Sequence, residues 1–174
     1  MTLISMKRLL NHALVNKYAV GYFEAWNMDS ILAVVDAAEK TNSPVIIGFG
    51  GQFIGSARRT VEENIYHYGS LGKSISENTK VPVALLLNEA HEIPMLINGL
   101  KAGFNAIMYE DHSISLREFI EINAIMVYFI YYEFINFFAS STILCVEGIT
   151  KFSITGEKGI GTSYVATRFI GASR

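Results

Sequence analysis

Cysteine is almost missing from this chain: Cys145 is the single one among 174 residues, so an intrachain disulfide is excluded. Between Ile143, Leu144 and Val146 that thiol reads as a small buried hydrophobe, and a reducing, cytoplasmic setting is expected. An excess of charge of either sign is missing too, with 14 Lys and Arg against 16 Asp and Glu and a formal net charge of −2. Binding to a phosphate backbone needs Lys and Arg clustered on one face, and no basic run exists, which sets nucleic acid aside as a partner. The first residues, Met1 to Arg8, place their charges after a very short apolar stretch. That order is the reverse of a secretion signal, and none is expected.

An uninterrupted apolar run long enough to cross a bilayer is the last absence. Residues 122–146 come closest, but Glu133 and Asn136 interrupt the middle and Ser140, Ser141 and Thr142 break the far end. Each uncharged piece is shorter than the roughly 20 residues a span requires. The soluble alternative is a long helix, a turn at Ala139-Ser140-Ser141 and a buried strand over 142–146. A membrane-associated helix over 122–146 is the competing reading, and partition into detergent would distinguish it.

Helix and strand signals alternate along the rest of the chain. Leu3, Met6, Leu9, Leu10, Ala13 and Leu14 recur at helical spacing over 3–16, and a strand-like segment covers 18–23. Asn27 is placed to cap a helix that runs to about Thr41. Val45-Ile46-Ile47 and Val81 to Leu87 are apolar without alternation, as in parallel strands buried on both faces. Thr60-Val-Glu-Glu63 and Ser115-Leu-Arg-Glu118 fit capping boxes ahead of two further helices. A helix from Glu92 to Gly103 leads into a fourth strand, 105–109, and the segment before Glu147 supplies a fifth. The expected fold class is therefore α/β with a parallel sheet and right-handed crossovers, either a doubly wound open sheet or part of a barrel. A closed (β/α) barrel takes about 250 residues, so about five of eight units fit, over residues 1–150. Residues 151–174 read as an irregular tail.

In either architecture the site lies at the carboxyl ends of the strands. Polar residues recur there: Glu24, then Gly48 to Gln52, then Asn88, Glu89, His91 and Glu92, then Glu110, Asp111 and His112, then Glu147. Histidine with carboxylates is a donor set that a divalent cation such as zinc uses. The bland reading stands beside it, since Glu92, Asp111 and Ser113 sit at helix starts, where such groups satisfy free N–H groups. His12 and His67 fall inside helices and read as surface or packing residues. The glycines at 48–51 are placed to cradle phosphate through backbone N–H groups, or only to turn the chain. Gly156 to Gly161 has the same ambiguity and lacks the Gly-Lys-Ser/Thr end of a P-loop.

Tyr18-Ala-Val-Gly-Tyr-Phe23, Ala37-Ala-Glu39, Ser43-Pro-Val-Ile-Ile47, Pro82-Val-Ala-Leu85 and Ala102-Gly-Phe-Asn-Ala-Ile-Met108 occur in an order and spacing that resembles the class II, zinc-dependent ketose-bisphosphate aldolases. The resemblance implies a (β/α) TIM-type barrel and reversible cleavage of a ketose bisphosphate to dihydroxyacetone phosphate and an aldehyde, with zinc as Lewis acid. It implies a divergent, shortened, cytoplasmic member acting on a sugar phosphate. Leu86, Asn88 and Glu89 stand where the family carries His-x-Asp-His. Asparagine does not exchange a proton as a carboxylic acid does, so the expected catalytic set is Asn88, orienting substrate, with His91 and Glu92 beside it. Glu89, Glu110, His112 and Glu147 are the expected metal donors, Ile149 standing where the family has a zinc-binding Glu. Gly50 and Gly51 are the expected phosphate contacts, and the family's later histidines and phosphate loops have no counterpart here. The rival expectation is a catalytically silent module whose open sheet edge and aromatic segment, Tyr128 to Phe138, pair with another copy.

Overall fold

The structure, a computed structural model, describes residues 2–54, 56, 60–61 and 63–124, and the backbone of 145–147 and 169–170. It forms two compact units, Met1–Met108 and Tyr109–Arg174. Within the first, apolar spacing and caps set each helix. Helix α1, Met6–Asn16, buries Met6, Leu9 and Ala13 on one stripe, starts at Ser5, which accepts the Arg8 N–H, and stops at Lys17 with φ of 57°. Strand β1 follows at Gly21–Glu24. Helix α2, Met28–Lys40, opens with the expected Asn27 cap, which exchanges hydrogen bonds with Ser30 in a capping box. Strand β2 runs Val45–Gly50 and is buried throughout.

Helix α3, Ile65–Asn78, is capped by Asn64 and not by the Thr60–Glu63 box. Asn64 immediately precedes the apolar stripe and accepts the Tyr66 N–H at 2.9 Å, while the Glu63 carboxylate receives the Tyr68 hydroxyl at 2.6 Å. Strand β3, Val83–Ala90, extends beyond the apolar run and takes in Asn88 and Glu89. Helix α4, Ile93–Ala102, has Pro94 in its first turn and ends at Gly103, whose φ of 116° only glycine adopts readily. Strand β4 is Ala106–Tyr109.

The four strands lie in the order β1-β2-β3-β4. β1 pairs with β2 and β2 with β3 in parallel, placing Glu24 level with Gly48, and Gly50 level with Asn88. The core lies where the sheet meets its helices, with Leu9, Ile31, Ile47, Phe49, Leu85, Leu87 and Leu96 nearly sealed from solvent. At the amino ends of the strands neutral groups stitch the backbone. Val83 donates to the Thr2 carbonyl and accepts from Ile4, both at 2.8 Å. The Asn105 side chain donates to the Ile4 carbonyl and accepts the Leu85 N–H, both at 2.8 Å.

In the second unit a helix, α5, begins at 116 and is described to 124. Ser115 and Glu118 form the expected capping box, the Ser115 N–H and hydroxyl donating to the Glu118 carboxylate and the Glu118 N–H to the Ser115 hydroxyl. Those bonds, the hydroxyl first, hold the Glu118 carboxyl below the usual carboxylate range. The expected fifth parallel strand is corrected: β5, Cys145–Glu147, pairs antiparallel with β6, Phe169–Ile170. The apolar, β-forming Phe169-Ile170 pair inside the presumed irregular tail supplies that partner. The rest of the aromatic segment, the turn at 139–141, residues 142–144 and the glycines at 156–161 lie outside the described residues. Among the described residues no helix is long and apolar enough to cross a membrane.

Candidate active site

Side-chain period in a strand is two, so Tyr22 and Glu24 of β1 share one face. The Tyr22 hydroxyl donates to Glu24 Oε2 at 3.0 Å. Strands β1 and β3 are separated by β2, yet Asn88 Nδ2 also donates to Glu24 Oε2, at 2.9 Å. The contact is possible because β2 presents glycine at the crossing point. A Cβ on Gly50 would lie 2.9 Å from Glu24 Oε1 and 2.8 Å from the Phe53 ring. Any side chain at position 50 would displace the carboxylate.

Asn88 is buried, at 7% exposure. Beside it Glu89 has φ of 48°, a left-handed conformation that costs a non-glycine residue roughly 1–2 kcal/mol. Such strain collects at functional positions. The Glu89 carboxylate accepts a hydrogen bond from Gln52 Nε2, just beyond β2. Trp26 and Phe53 pack ring to ring with centroids 4.3 Å apart, and Trp26 is half exposed. Burial is the main cause pushing the Tyr22 phenol far above its ordinary range, followed by the charge of Glu24, the hydrogen bond to it, and the charge of Glu89. Tyr22 therefore stays protonated as a donor. Two donors on one oxygen fix Glu24 as an oriented acceptor, with Oε1 turned to the Gly50 side.

The expected site residues divide. Asn88 and Glu89 are in the cluster, but inside β3 and not beyond it. Gly50 is also there, as the last residue of β2 and not in a loop. The Gly51 N–H donates to the Asn88 carbonyl at 2.6 Å, so it is occupied and Gly51 links strands instead of presenting a phosphate donor. His91 and Glu92 are exposed ahead of α4, where Glu92 stands at the cap position without a side-chain cap bond. In the second unit His112 Nε2 lies 3.0 Å from Glu110 Oε1. Asp111 takes the Ser113 N–H and hydroxyl and the Tyr109 hydroxyl, and Tyr109, stacked on Phe119, is raised by burial first and then by Asp111. Glu147 is in β5 and Cys145 beside it, their side chains outside the described residues. His12 and His67 lie exposed on helices, His12 Nδ1 paired with the Tyr18 hydroxyl at 2.8 Å.

The family profile of class-II fructose-bisphosphate aldolase matches residues 4–131. The chain belongs to that aldolase family. The fructose-bisphosphate aldolase of Geobacillus stearothermophilus is 34% identical over 115 residues, which are 63% of this chain and 37% of that enzyme. The sulfofructosephosphate aldolase of Alkalicoccus urumqiensis is 27% identical over 118 residues, 68% of this chain and 39% of that protein. The crystal structure of the YdjI aldolase from Escherichia coli K12 superposes with a TM-score of 0.65 at 26% identity, covering 74% of this chain and 47% of that one. This aldolase-family chain thus spans less than half the length of these relatives, and its α/β sheet is a partial barrel of the TIM type.

Class II chemistry implies a divalent cation. Among the described residues of the aldolase-family chain, no group of three or more His, Cys, Asp or Glu is placed to hold a metal ion. Glu89 is bonded to an amide and Glu110 to a histidine. The described residues do not fit a resident zinc ion. In the sequence Glu24 and Gln52 stand out as polar strand ends but not as site residues, and Tyr22 stands out as neither. The available signal was the two-residue spacing of Tyr22 and Glu24 opposite a glycine in the next strand.

Proposed function

We propose that the chain works on a phosphorylated ketose in reversible aldol cleavage, giving dihydroxyacetone phosphate and an aldehyde. The observation that carries this reading is the polar set at the carboxyl ends of β1 to β3, where Glu24, Asn88, Glu89 and Gln52 gather on the family's parallel sheet. In this reading the buried Asn88 amide orients the site, Glu24 and Glu89 supply oriented carboxylates, and Gly50 keeps room for the Glu24 carboxylate. His91 and Glu92 form the outer edge as auxiliary proton-handling groups, and the setting is cytoplasmic. Zinc is the cofactor that family membership implies, and since the described residues do not fit it, no donor set is assigned to it here.

The test is steady-state cleavage of fructose 1,6-bisphosphate, tagatose 1,6-bisphosphate and sulfofructose phosphate by the full chain, with calorimetric titration of each sugar in parallel. Saturable turnover of one of them is the expected result. A folded protein that neither binds nor cleaves any of the three would overturn the reading.

A second reading, association with further copies of the chain, is favoured by one observation. Among the described residues β1 is an edge strand, and Phe23 on it is 52% exposed. Open edges of this kind invite pairing. Analytical ultracentrifugation is expected to show an oligomer under this reading, and a dispersed monomer would remove it.

A further inference from the structure

We infer that Glu24, on the first strand, is the group that exchanges a proton with the substrate hydroxyl, in place of the carboxylic acid missing from position 88. The inference rests on the function proposed above and names the group that performs its proton step.

Three observations carry it. First, the amide at Asn88 is not idle: Nδ2 points at Glu24 and holds its Oε2 at 2.9 Å, so a carboxylate occupies the space beside position 88 although position 88 has none of its own. Second, the Tyr22 hydroxyl binds the same oxygen at 3.0 Å, so both donors converge on Oε2. Among the described residues Oε1 accepts no hydrogen bond, and Glu24 forms no salt bridge. Third, Gly50 provides the room that Oε1 occupies, since a Cβ there would come within 2.9 Å of it. A carboxylate with one oxygen anchored twice, and the other given no protein donor among the described residues, is held in one orientation with a lone pair left for a substrate proton. Among the described residues Glu89 of β3 also acts on this constellation, its charge disfavouring ionisation of Tyr22.

In the cleavage direction Oε1 takes the proton of the hydroxyl on the carbon β to the substrate carbonyl. The O–H electron pair forms the aldehyde C=O as the adjacent C–C bond breaks, and the C–C pair passes into the enediolate of the remaining fragment. Glu24 ends protonated and returns that proton to the aldehyde oxygen in the synthetic direction. Asn88 and Tyr22 touch the base and act as positioning residues.

The test compares wild type, Glu24→Gln and the double variant Glu24→Gln with Asn88→Asp, using fructose 1,6-bisphosphate cleavage for kcat and KM and calorimetry for binding. General acid–base catalysis contributes about 10²–10⁴-fold, so Glu24→Gln is expected to lose at least about 100-fold in kcat while sugar affinity is kept. The double variant puts a carboxylate back beside the same space and is expected to recover at least about tenfold of that loss, which a merely structural role of Glu24 would not allow. Cleavage by Glu24→Gln at the wild-type rate would overturn this inference alone. Loss without recovery in a double variant that still binds sugar would overturn it as well. Wild type that neither binds nor cleaves would overturn the proposed function and this assignment together.

Discussion

Two asparagines at opposite ends of the same sheet do different work. Asn105, at the amino end, uses its amide to join main chain to main chain, binding the Ile4 carbonyl and the Leu85 N–H. Asn88, at the carboxyl end, directs its amide to a carboxylate on a strand two positions away. The amino end is built from neutral groups that satisfy one another. The carboxyl end holds Tyr22, Glu24, the left-handed Glu89 and, between the strands, Gly50. One end of this sheet is a structural seam, and the other concentrates carboxylates and a left-handed backbone.

The seam is expected to be the more sensitive end to substitution. Asn105→Ala leaves the Leu85 N–H and the Ile4 carbonyl unpaired, at about 1–3 kcal/mol for each group, and is expected to cost about 2–4 kcal/mol in urea unfolding. Asn88→Ala at the other end removes one donor from a carboxylate that keeps Tyr22. Its expected cost is about 1–2 kcal/mol, with kcat reduced more than stability. Equal losses for the two variants would erase the distinction between the ends. Glu89→Gly relieves the left-handed backbone and is expected to raise stability by up to about 1 kcal/mol while impairing turnover.

The pH dependence sharpens the same contrast. The Tyr22 phenol is raised in the folded state, by burial first and then by Glu24, so the folded chain keeps a proton that the unfolded chain loses near about pH 10. Its contribution is complete below that pH and is lost as pH rises toward the folded value. Alkaline denaturation curves are therefore expected to show Glu24→Gln less sensitive to pH above about 10 than wild type. The smallest effect is expected far from the site. Glu39 is held below its ordinary range by the Lys80 N–H first and then by the Lys80 side chain. Its contribution is present above the ordinary carboxylate range and fades as pH falls through the lowered value, so Glu39→Gln should flatten acid denaturation slightly.

Local patterns made much of the fold legible. The Asn27 cap, the Ser115–Glu118 box, the stop at Gly103 and the apolar runs of β2 and β3 each depend on neighbours within a few residues. Strand β5 resembles a fifth parallel strand in the sequence because its antiparallel partner, Phe169-Ile170, lies more than twenty positions on and is too short to stand out. The site was legible by position and not by contact. Glu24 and Asn88 are 64 residues apart and Asn105 and Ile4 are 101 apart, so each bond follows from strand order and register. Gly50 and Gly51 suggested a phosphate loop because adjacent glycines in sequence do not reveal whether they turn or continue a strand. Register does, and it assigns Gly50 to the crossing point of Glu24 and Asn88.

The central claim is the constellation of Tyr22, Glu24 and Asn88. It is tested most directly by following the Tyr22 ring carbon that bears the hydroxyl, by ¹³C NMR of tyrosine-labelled protein, across an alkaline titration of wild type and Glu24→Gln. Wild-type Tyr22 is expected to remain protonated well above the ordinary phenol range of about 10, and the variant to ionise at lower pH. Titration of wild-type Tyr22 near about 10, unchanged by the substitution, would contradict it.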